Sequence, residues 1–168
     1  DKKAHRKIKT MKDINIRYAT AADVPVIHAL LCELEKVLGA GAKIKRKQED
    51  LLRYGFSDEP FFQALIAYRG AEPVGLALFF REFSSWRGQP GVYLQDLYVA
   101  ADTRGTGLGR ELMKAVYEQA RQWGATYCKL AVDTDNQSAI AFYERLGFAV
   151  TDNERFLMRD GLDNPDLN

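Results

Sequence analysis

The stretch that decides the fold is residues 92–124, which read VYLQDLYVAADTRGTGLGRELMKAVYEQARQWG. Aliphatic and aromatic residues up to Val99 predict a half-buried strand, and turn residues at 102–107 interrupt it. Apolar residues then recur at helical spacing from Leu108 to Trp123, and Gly124 is a typical C-terminal cap. The sequence therefore predicts a strand, a glycine loop and a helix in that order.

The glycines of this loop fall where the predicted helix begins. The first turn of a helix has backbone N–H groups without partners, and the helix dipole adds partial positive charge there. Gly105, Gly107 and Gly109 carry no Cβ, so the backbone can approach a diphosphate closely and adopt positive φ. A phosphate site and a ligand-free tight turn both fit these three glycines taken alone.

Two common phosphate-binding patterns do not match the loop. The chain contains no Gly-x-x-x-x-Gly-Lys-Ser/Thr run. A dinucleotide fingerprint has Gly-x-Gly-x-x-Gly and an acidic residue about twenty positions further on, after a second strand. Here the glycines alternate, and the next predicted strand ends only before Asp133.

Two blocks of the sequence resemble the GNAT superfamily of N-acetyltransferases. Residues 104–109 (RGTGLG) match its Arg/Gln-x-x-Gly-x-Gly/Ala loop, and residues 136–148 (NQSAIAFYERLGF) match its Asn-x-x-Ala/Ser-x-x-Phe-Tyr-x-x-x-Gly-Phe segment. Residues 93–99 (YLQDLYV), the loop that follows and residues 155–158 (RFLM) are most similar to the diamine (spermidine/spermine) acetyltransferase-like branch. That branch has Glu-Asp where this chain has Gln95-Asp96. The departure argues either against the assignment of the base or against polyamine specificity; the alternative is a smaller or less cationic amine.

The resemblance implies an α/β (α+β) fold of the GNAT type. Its single mixed, mostly antiparallel twisted sheet is flanked by helices and splayed between the central strand and the next. Residues 11–168 are expected to form one such domain, and residues 1–10 a disordered leader or cloning extension. Periodicity predicts strands at 14–19, 61–68, 74–83, 92–99, 127–132 and 156–158, and helices at 27–38, 49–54, 108–123 and 138–146. Thr20 and Asp23 predict a capping box before the first helix.

Composition and charge argue against several classes of function. A formal net charge of +1, with 46% hydrophobic residues, gives no global field for nucleic acid or a membrane surface, so neither is an expected partner. The apolar stretches are too short to span a bilayer, and we expect a cytoplasmic protein. Cys32 and Cys128 suit reduced thiols, and no spacing of His and Cys predicts a metal site.

Acyl transfer from a thioester to an amine needs an uncharged amine, a stabilised oxyanion and a proton for the departing thiolate. Tyr143 is the predicted proton donor, because a phenol with a pKa of about 10 stays protonated at neutral pH; the resemblance implies the same role. A buried aromatic pair with Phe142 is the alternative. An amine with a pKa near 10.4 is neutral in only about one molecule in a thousand at pH 7.4. Asp96 is therefore the candidate base, with Glu82 and Glu154 as further candidates.

The resemblance also implies acetyl-CoA as the cofactor. It gives the backbone N–H groups of Leu97 and Val99 to the pantetheine arm and the thioester carbonyl. Asn136 is expected to bind the cofactor arm or to fix the adjacent strand, and the alternative is an ordinary N-cap of the helix that follows. The cofactor-binding residues implied are Leu97, Tyr98, Val99, Arg104, Gly105, Thr106, Gly107, Leu108, Gly109, Arg110, Asn136, Ala139, Phe142, Tyr143 and Arg145.

The amine acceptor is expected to meet Glu82, Trp86, Gln95, Asp96 and Glu154. Trp86 lies in a predicted loop, 84–91, where it is either a hydrophobic cap or a wall of the amine site. The basic residues of 43–47 fit either a solvated loop or a lid near the adenosine phosphate of CoA.

The predicted function is direct transfer of acetyl from acetyl-CoA to a primary amine of a small molecule, such as a diamine, polyamine or amino acid-like amine, in a ternary complex. No recognisable nucleophile motif favours a covalent acyl-enzyme. The branch resemblance implies a homodimer. The alternatives are a protein or peptide N-acetyltransferase and a non-catalytic acyl-CoA-binding module.

Overall fold

The structure is a computed structural model that describes residues 11–39, 45–151 and 154–160. The predicted leader, 1–10, lies outside the described residues, as do Lys43 and Ile44 of the basic cluster. The chain divides into two compact units, residues 1–131 and 132–168, and each is described by itself.

The first unit contains the secondary-structure elements in the predicted order, with ends that differ by a few residues. The helices are α1 (Val24–Leu38), α2 (Gln48–Gly55) and α3 (Leu108–Gln122). The strands are β1 (Ile14–Tyr18), β2 (Gln63–Arg69), β3 (Glu72–Ser84), β4 (Gln89–Val99) and β5 (Cys128–Leu130). Among the described residues, no helix combines the length and apolar character needed to cross a membrane.

One mixed sheet joins the strands in the order β1-β2-β3-β4-β5, counted over the described part of the chain. The first four strands pair antiparallel, and β5 pairs parallel with β4. That last pairing runs only from Val92 opposite Cys128 to Leu94 opposite Leu130. The predicted mixed, mostly antiparallel sheet and its separation after the central strand are therefore confirmed.

The two faces of the sheet bury two sets of side chains, because successive residues of a strand point to opposite faces. Leu76, Leu78 and Tyr98 pack in one core cluster with Ile27 and Leu31 of α1. On the other face α3 covers β3: a Cβ on Gly75 would lie 3.0 Å from Leu112 Cδ1, and the rings of Phe79 and Trp123 are 5.9 Å apart. The sheet is thus buried on both faces along residues 74–79 of β3.

A charged corner fixes β1 to the start of α1. The Arg17 guanidinium donates to both carboxylate oxygens of Asp23, each at 2.8 Å. The Thr20 N–H donates to Asp23 Oδ2 at 2.8 Å, and the Tyr68 hydroxyl donates to Oδ1 at 3.3 Å. The predicted capping box is confirmed, and its carboxylate also serves β1 and β2. Arg17 and Thr20 hold the pKa of Asp23 far below its ordinary value.

The second unit contains α4 (Gln137–Arg145). The helix ends as predicted, since Gly147 has a φ of 90° and the Phe148 N–H donates to the Tyr143 carbonyl at 3.0 Å. The predicted strand at 156–158 is wrong: these residues have no strand structure. Phe156, Leu157 and Met158 are 75%, 95% and 89% exposed, so no neighbouring strand covers them. A short apolar run forms a strand only where a neighbouring strand exists to pair with it.

We predict that Asp23→Asn lowers the free energy of unfolding by about 2–3 kcal/mol at pH 7, because several charge-assisted hydrogen bonds converge on this carboxylate. A carboxyl whose pKa is depressed on folding stabilises the protein above its unfolded pKa and loses that contribution as pH falls through the folded value. The difference from wild type should therefore shrink as pH falls below 3.8, the ordinary value for Asp.

Urea unfolding of both proteins between pH 2.5 and 7 measures this difference. The matched control is Glu33→Gln, which removes an exposed carboxylate 2.6 Å from Lys36 Nζ. It should change the free energy of unfolding by less than about 0.5 kcal/mol. Equal effects of the two substitutions at pH 7 would contradict the role given to Asp23.

Candidate active site

The second half of β4 has one open edge within the first unit. The Ala100 N–H donates to the Val74 carbonyl at 2.8 Å. Because hydrogen bonding alternates along an antiparallel ladder, Tyr98 and Ala100 direct their N–H groups to β3, while Leu97 and Val99 direct theirs to the opposite edge. The pairing with β5 has already ended at Leu94. The predicted backbone donors thus face the edge from which β5 has separated.

The glycine loop follows this edge directly and leads into α3. Gly105 and Gly107 have φ values of 77° and 94°, a left-handed conformation that strains any residue with a Cβ. The first backbone bond of the helix runs from the Glu111 N–H to the Gly107 carbonyl at 3.1 Å. The N–H groups of 108–110 therefore have no acceptor one turn earlier in the helix, as an anion site requires.

The expectation of positive φ is wrong for Gly109. This residue lies inside α3 and is not among the glycines with positive φ. Its lack of a Cβ still clears space at the first turn, but its backbone is helical. Leu108 points inward and is 1% exposed, whereas Arg110 is exposed.

Side chains hold the loop in place at both ends. Arg69 Nη2 contacts Asp102 Oδ2 at 2.9 Å and Glu72 Oε2 at 2.6 Å, which links the β2–β3 turn to the start of the loop. The Thr106 hydroxyl donates to the Thr103 carbonyl at 2.7 Å. Arg104, a residue predicted to bind the cofactor, donates from Nε to the Val99 carbonyl at 3.1 Å. One donor of its guanidinium group is therefore already bonded to the end of β4.

Asp96 lies on the face of β4 that packs against α1. It pairs with Leu78 and stands two residues from Tyr98, and both neighbours belong to the α1 core cluster. Burial raises the pKa of the Asp96 carboxyl to about 6; the positive charge of Arg46 lowers it in part, and the negative charge of Glu35 raises it. The predicted base is thus a half-buried carboxyl that changes charge near neutral pH.

Gln95 occupies an irregularity in the β3–β4 ladder. Consecutive residues of β3, Leu78 and Phe79, face Asp96 and Leu94, so Gln95 has no partner on β3. An unpaired residue of this kind is a β-bulge, which bends the strand and re-aims its neighbours. Gln95 is exposed, whereas Asp96 is half-buried. Of these two neighbours, the carboxylate of Asp96 therefore lies on the more buried side of the strand.

The structure does not bring Glu82 and Trp86 to Asp96 within the first unit. Glu82 stands four residues along β3 from Leu78, a distance of about 13 Å. Glu82 lies beside the Tyr127 phenol and the Cys128 thiol. Burial and the charge of Glu82 raise the pKa of the Cys128 thiol to about 12.

The predicted loop at 84–91 is wrong in extent. β3 continues to Ser84 and β4 starts at Gln89, so the strands form one long hairpin with Trp86 in its turn. Trp86 is 100% exposed. Sequence reasoning missed the hairpin because Gly88, Pro90 and Gly91 are all turn-favouring residues, although pairing with β3 extends through the last two.

The second unit holds the remaining predicted residues. Asn136 accepts the Ala139 N–H at 3.2 Å, so it caps α4, which is the alternative to its two expected roles. The Tyr143 ring contacts Phe142 and Phe148, with centroids 5.2 and 5.5 Å apart, and is half-buried. Arg145 and Glu154 are exposed. The packing against Phe142 and Phe148 therefore fixes the position of the Tyr143 ring on α4.

Two residues near Asp96 were not predicted. Arg46 Nη2 lies 2.6 Å from Glu35 Oε1, and both side chains are mostly buried, at 21% and 14% exposure. The sequence places Arg46 in a basic run that suggested a solvated loop. A usable signal was present in α1: Glu35 follows Leu31 by one helical turn, which puts an acid on the buried stripe.

Comparison with known proteins agrees with this geometry. Residues 28–148 match the acetyltransferase (GNAT) family. The chain belongs to this family. It is 32% identical over 145 residues to the thialysine N-epsilon-acetyltransferase of Sus scrofa, covering 82% of this chain and 85% of that protein. It is also 32% identical over 145 residues to the Homo sapiens spermidine/spermine N(1)-acetyltransferase-like protein 1, covering 82% of this chain and 21% of that protein.

A solved structure of an aminoglycoside acetyltransferase from an uncultured soil metagenomic sample has a TM-score of 0.75 with this chain. It is 18% identical and covers 89% of this chain and 98% of its own, so it supports the fold alone. The GNAT chain described here is therefore an N-acetyltransferase, and its relatives confirm the predicted branch.

We predict that Asp96→Asn stabilises this acetyltransferase. A carboxyl whose pKa is higher in the folded state destabilises that state once pH rises above its unfolded value, because ionisation is then easier in the unfolded chain. Here that cost develops between 3.8 and about 6. Asp96→Asn should raise the free energy of unfolding by about 1–3 kcal/mol above pH 6, and the gain should vanish as pH falls toward 4.

Urea unfolding at several pH values between 4 and 7.5 measures the effect. The exposed Asp58→Asn substitution is the control and should change stability by less than about 0.5 kcal/mol. A variant that is less stable than wild type at pH 7.5 would show that the folded protein prefers the Asp96 carboxylate.

Proposed function

We propose that this chain transfers acetyl from acetyl-CoA directly to a primary amine of a small molecule. The observation that carries the proposal is the open edge of β4 leading into a glycine loop at the start of α3, in a member of the GNAT family. The names of the two relatives support a small amine as acceptor, since thialysine, spermidine and spermine are all small amines.

The first unit offers acetyl-CoA two sets of backbone donors. The N–H groups of 108–110 and the left-handed glycines suit the pyrophosphate. The outward N–H groups of Leu97 and Val99 suit the extended arm and its carbonyl. When bound, acetyl-CoA supplies the activated acetyl thioester. Exposed Arg110 and the free part of the Arg104 guanidinium add positive charge beside the phosphates.

Asp96 is the proposed acceptor of the amine proton. With a pKa raised to about 6 it remains mostly ionised at pH 7.4, yet it is a stronger base than an ordinary aspartate. Asp96 lies on the side of the bulged strand β4 that faces α1. In this proposal neither Glu82 nor Glu154 takes the reacting proton.

Tyr143 is the proposed donor of the proton that the departing sulfur needs. Its ring is fixed between Phe142 and Phe148, so the phenol oxygen has a defined direction relative to α4. Asn136 orders the first turn of the same helix as its cap. Together these contacts fix the first turn of α4 and the Tyr143 ring within the second unit. Transfer then needs no acyl-enzyme.

A protein or peptide acceptor is the second candidate. The fully exposed Trp86 favours it, because a tryptophan in the hairpin turn does not cover Asp96 within one chain.

We also propose a cytoplasmic homodimer. Phe83, 67% exposed, and Trp86 supply apolar surface for a second copy, and the two free cysteines suit a reducing compartment.

The test is release of free thiol from acetyl-CoA against a panel of diamines, polyamines, amino acids, aminoglycosides and peptides. We expect the highest kcat/KM with a small primary amine. Faster turnover of peptides than of every small amine would select the second candidate. A chain that binds CoA but acetylates no member of any class would support the non-catalytic alternative.

Tyr143→Phe should lower kcat about 10²-fold while leaving the Kd for CoA within about twofold, because the substitution removes the transferable proton and keeps the ring packing. Stopped-flow thiol release and calorimetry measure the two quantities. Tyr54→Phe, which removes an exposed hydroxyl from α2, is the matched control with unchanged kcat. An unaltered kcat in Tyr143→Phe would remove Tyr143 from the mechanism.

A further inference from the structure

The ion pair of Arg46 and Glu35 lies on the α1 side of the sheet, on the same face as Asp96. Glu35 reaches Arg46 from the helix at 2.6 Å, and Cys32, one turn earlier, accepts from the same Nη2 at 4.0 Å. Asp96 pairs with Leu78 and faces the same side. The charges of Arg46 and Glu35 both act on the Asp96 carboxyl. An arginine thus stands beside the proposed acceptor of the amine proton.

Glu35 and Cys32 use only one nitrogen of this guanidinium. Arg46 Nε is a buried atom with no hydrogen-bond partner in the described part of the chain. A guanidinium has five N–H donors arranged as a planar fork, which matches the two oxygens of a carboxylate. A buried donor without an acceptor is costly, so its retention beside a reaction site needs an explanation. The acid group of a ligand would supply the missing acceptor.

We propose that Arg46, oriented by Glu35, binds the acid group of an acceptor that carries both a primary amine and a carboxylate. The proposal rests on the function proposed above and narrows its substrate to amino acid-like amines. Arg46 is then a specificity-determining residue, and Glu35 positions it. Asp96 meets the amine of the same molecule, so the two ends of a zwitterion meet opposite charges.

The same arrangement discriminates against simple diamines. The second ammonium group of a diamine would approach a fixed positive charge at Arg46 without the carboxylate that accompanies the same group in lysine or ornithine. Specificity depends on such unfavourable contacts as well as on favourable ones. Glu35 offsets part of that charge, but it is held by the guanidinium and only 14% exposed. The exposed Gln95 adds no second carboxylate for a polycation.

The test compares acceptors that differ only in one carboxylate. Lysine is compared with 1,5-diaminopentane, and ornithine with 1,4-diaminobutane. Wild type should favour the amino acid of each pair by about 10- to 100-fold in kcat/KM, the range expected for charge-assisted hydrogen bonds. In Arg46→Gln that preference should fall to about one, through loss of the amino acid reaction, while kcat/KM for the diamine does not decrease.

Two further variants complete the design. Arg53→Gln removes an exposed arginine from α2 and should keep the wild-type preference. If Arg46→Gln fails to fold because Glu35 is left without its partner, the double variant Arg46→Gln/Glu35→Gln removes both charges and carries the same expectation. A wild type without preference, or a preference that survives in the Arg46 variant, would overturn the proposal.

Calorimetry separates this proposal from the proposed function. Lysine and 1,5-diaminopentane are titrated into wild type and Arg46→Gln without acetyl-CoA. Tighter binding of lysine that depends on Arg46 supports the proposal even if no amine is acetylated, an outcome that would refute only the transferase reaction. Equal binding of the two ligands by both proteins contradicts the proposal even if amines are acetylated.

Discussion

The parting of β4 from β5 is the constraint on which the rest of the structure depends. Parallel pairing stops at Leu94 and Leu130, after only three residue pairs. Beyond that point, among the described residues of the first unit, the N–H groups of Leu97 and Val99 have no strand neighbour. Unsatisfied backbone donors are costly unless a ligand or solvent meets them. The bulge at Gln95 falls at the same level of β4 and bends the strand. The opening and the turn into the glycine loop are therefore consequences of one local change in pairing.

The site keeps features that are unfavourable for stability alone. Asp96 is a carboxyl placed where burial raises its pKa to about 6, and the ion pair of Arg46 and Glu35 is mostly buried beside it. Buried ion pairs contribute little net stability compared with apolar residues of the same volume. By contrast, both carboxylate oxygens of Asp23 accept hydrogen bonds from Arg17, and this corner links β1 to the start of α1. Charge thus stabilises the architecture at β1, and in the proposed mechanism it accepts the amine proton at β4.

Most of the fold was predictable because the local signals agree with the tertiary contacts. The helical spacing after Leu108 and the glycines before it predicted the glycine loop and α3. The Thr20–Asp23 capping box predicted the start of α1. The strand expected at 156–158 failed, since pairing partners are not visible in one segment. Arg46 was missed for the same reason. Its own segment does not show that its charge is paired, because the partner, Glu35, lies on α1. The bulge at Gln95 likewise depends on β3 and leaves no mark in the sequence of β4.

Amide hydrogen exchange of β4, measured by NMR with and without CoA, tests the central claim most directly. Leu97 and Val99 should exchange rapidly in the free protein and become protected when CoA binds. Tyr98 and Ala100, whose N–H groups point to β3, should be slow in both states and serve as internal controls. Protection of Leu97 and Val99 that is already high without CoA, or that CoA leaves unchanged, would contradict the account.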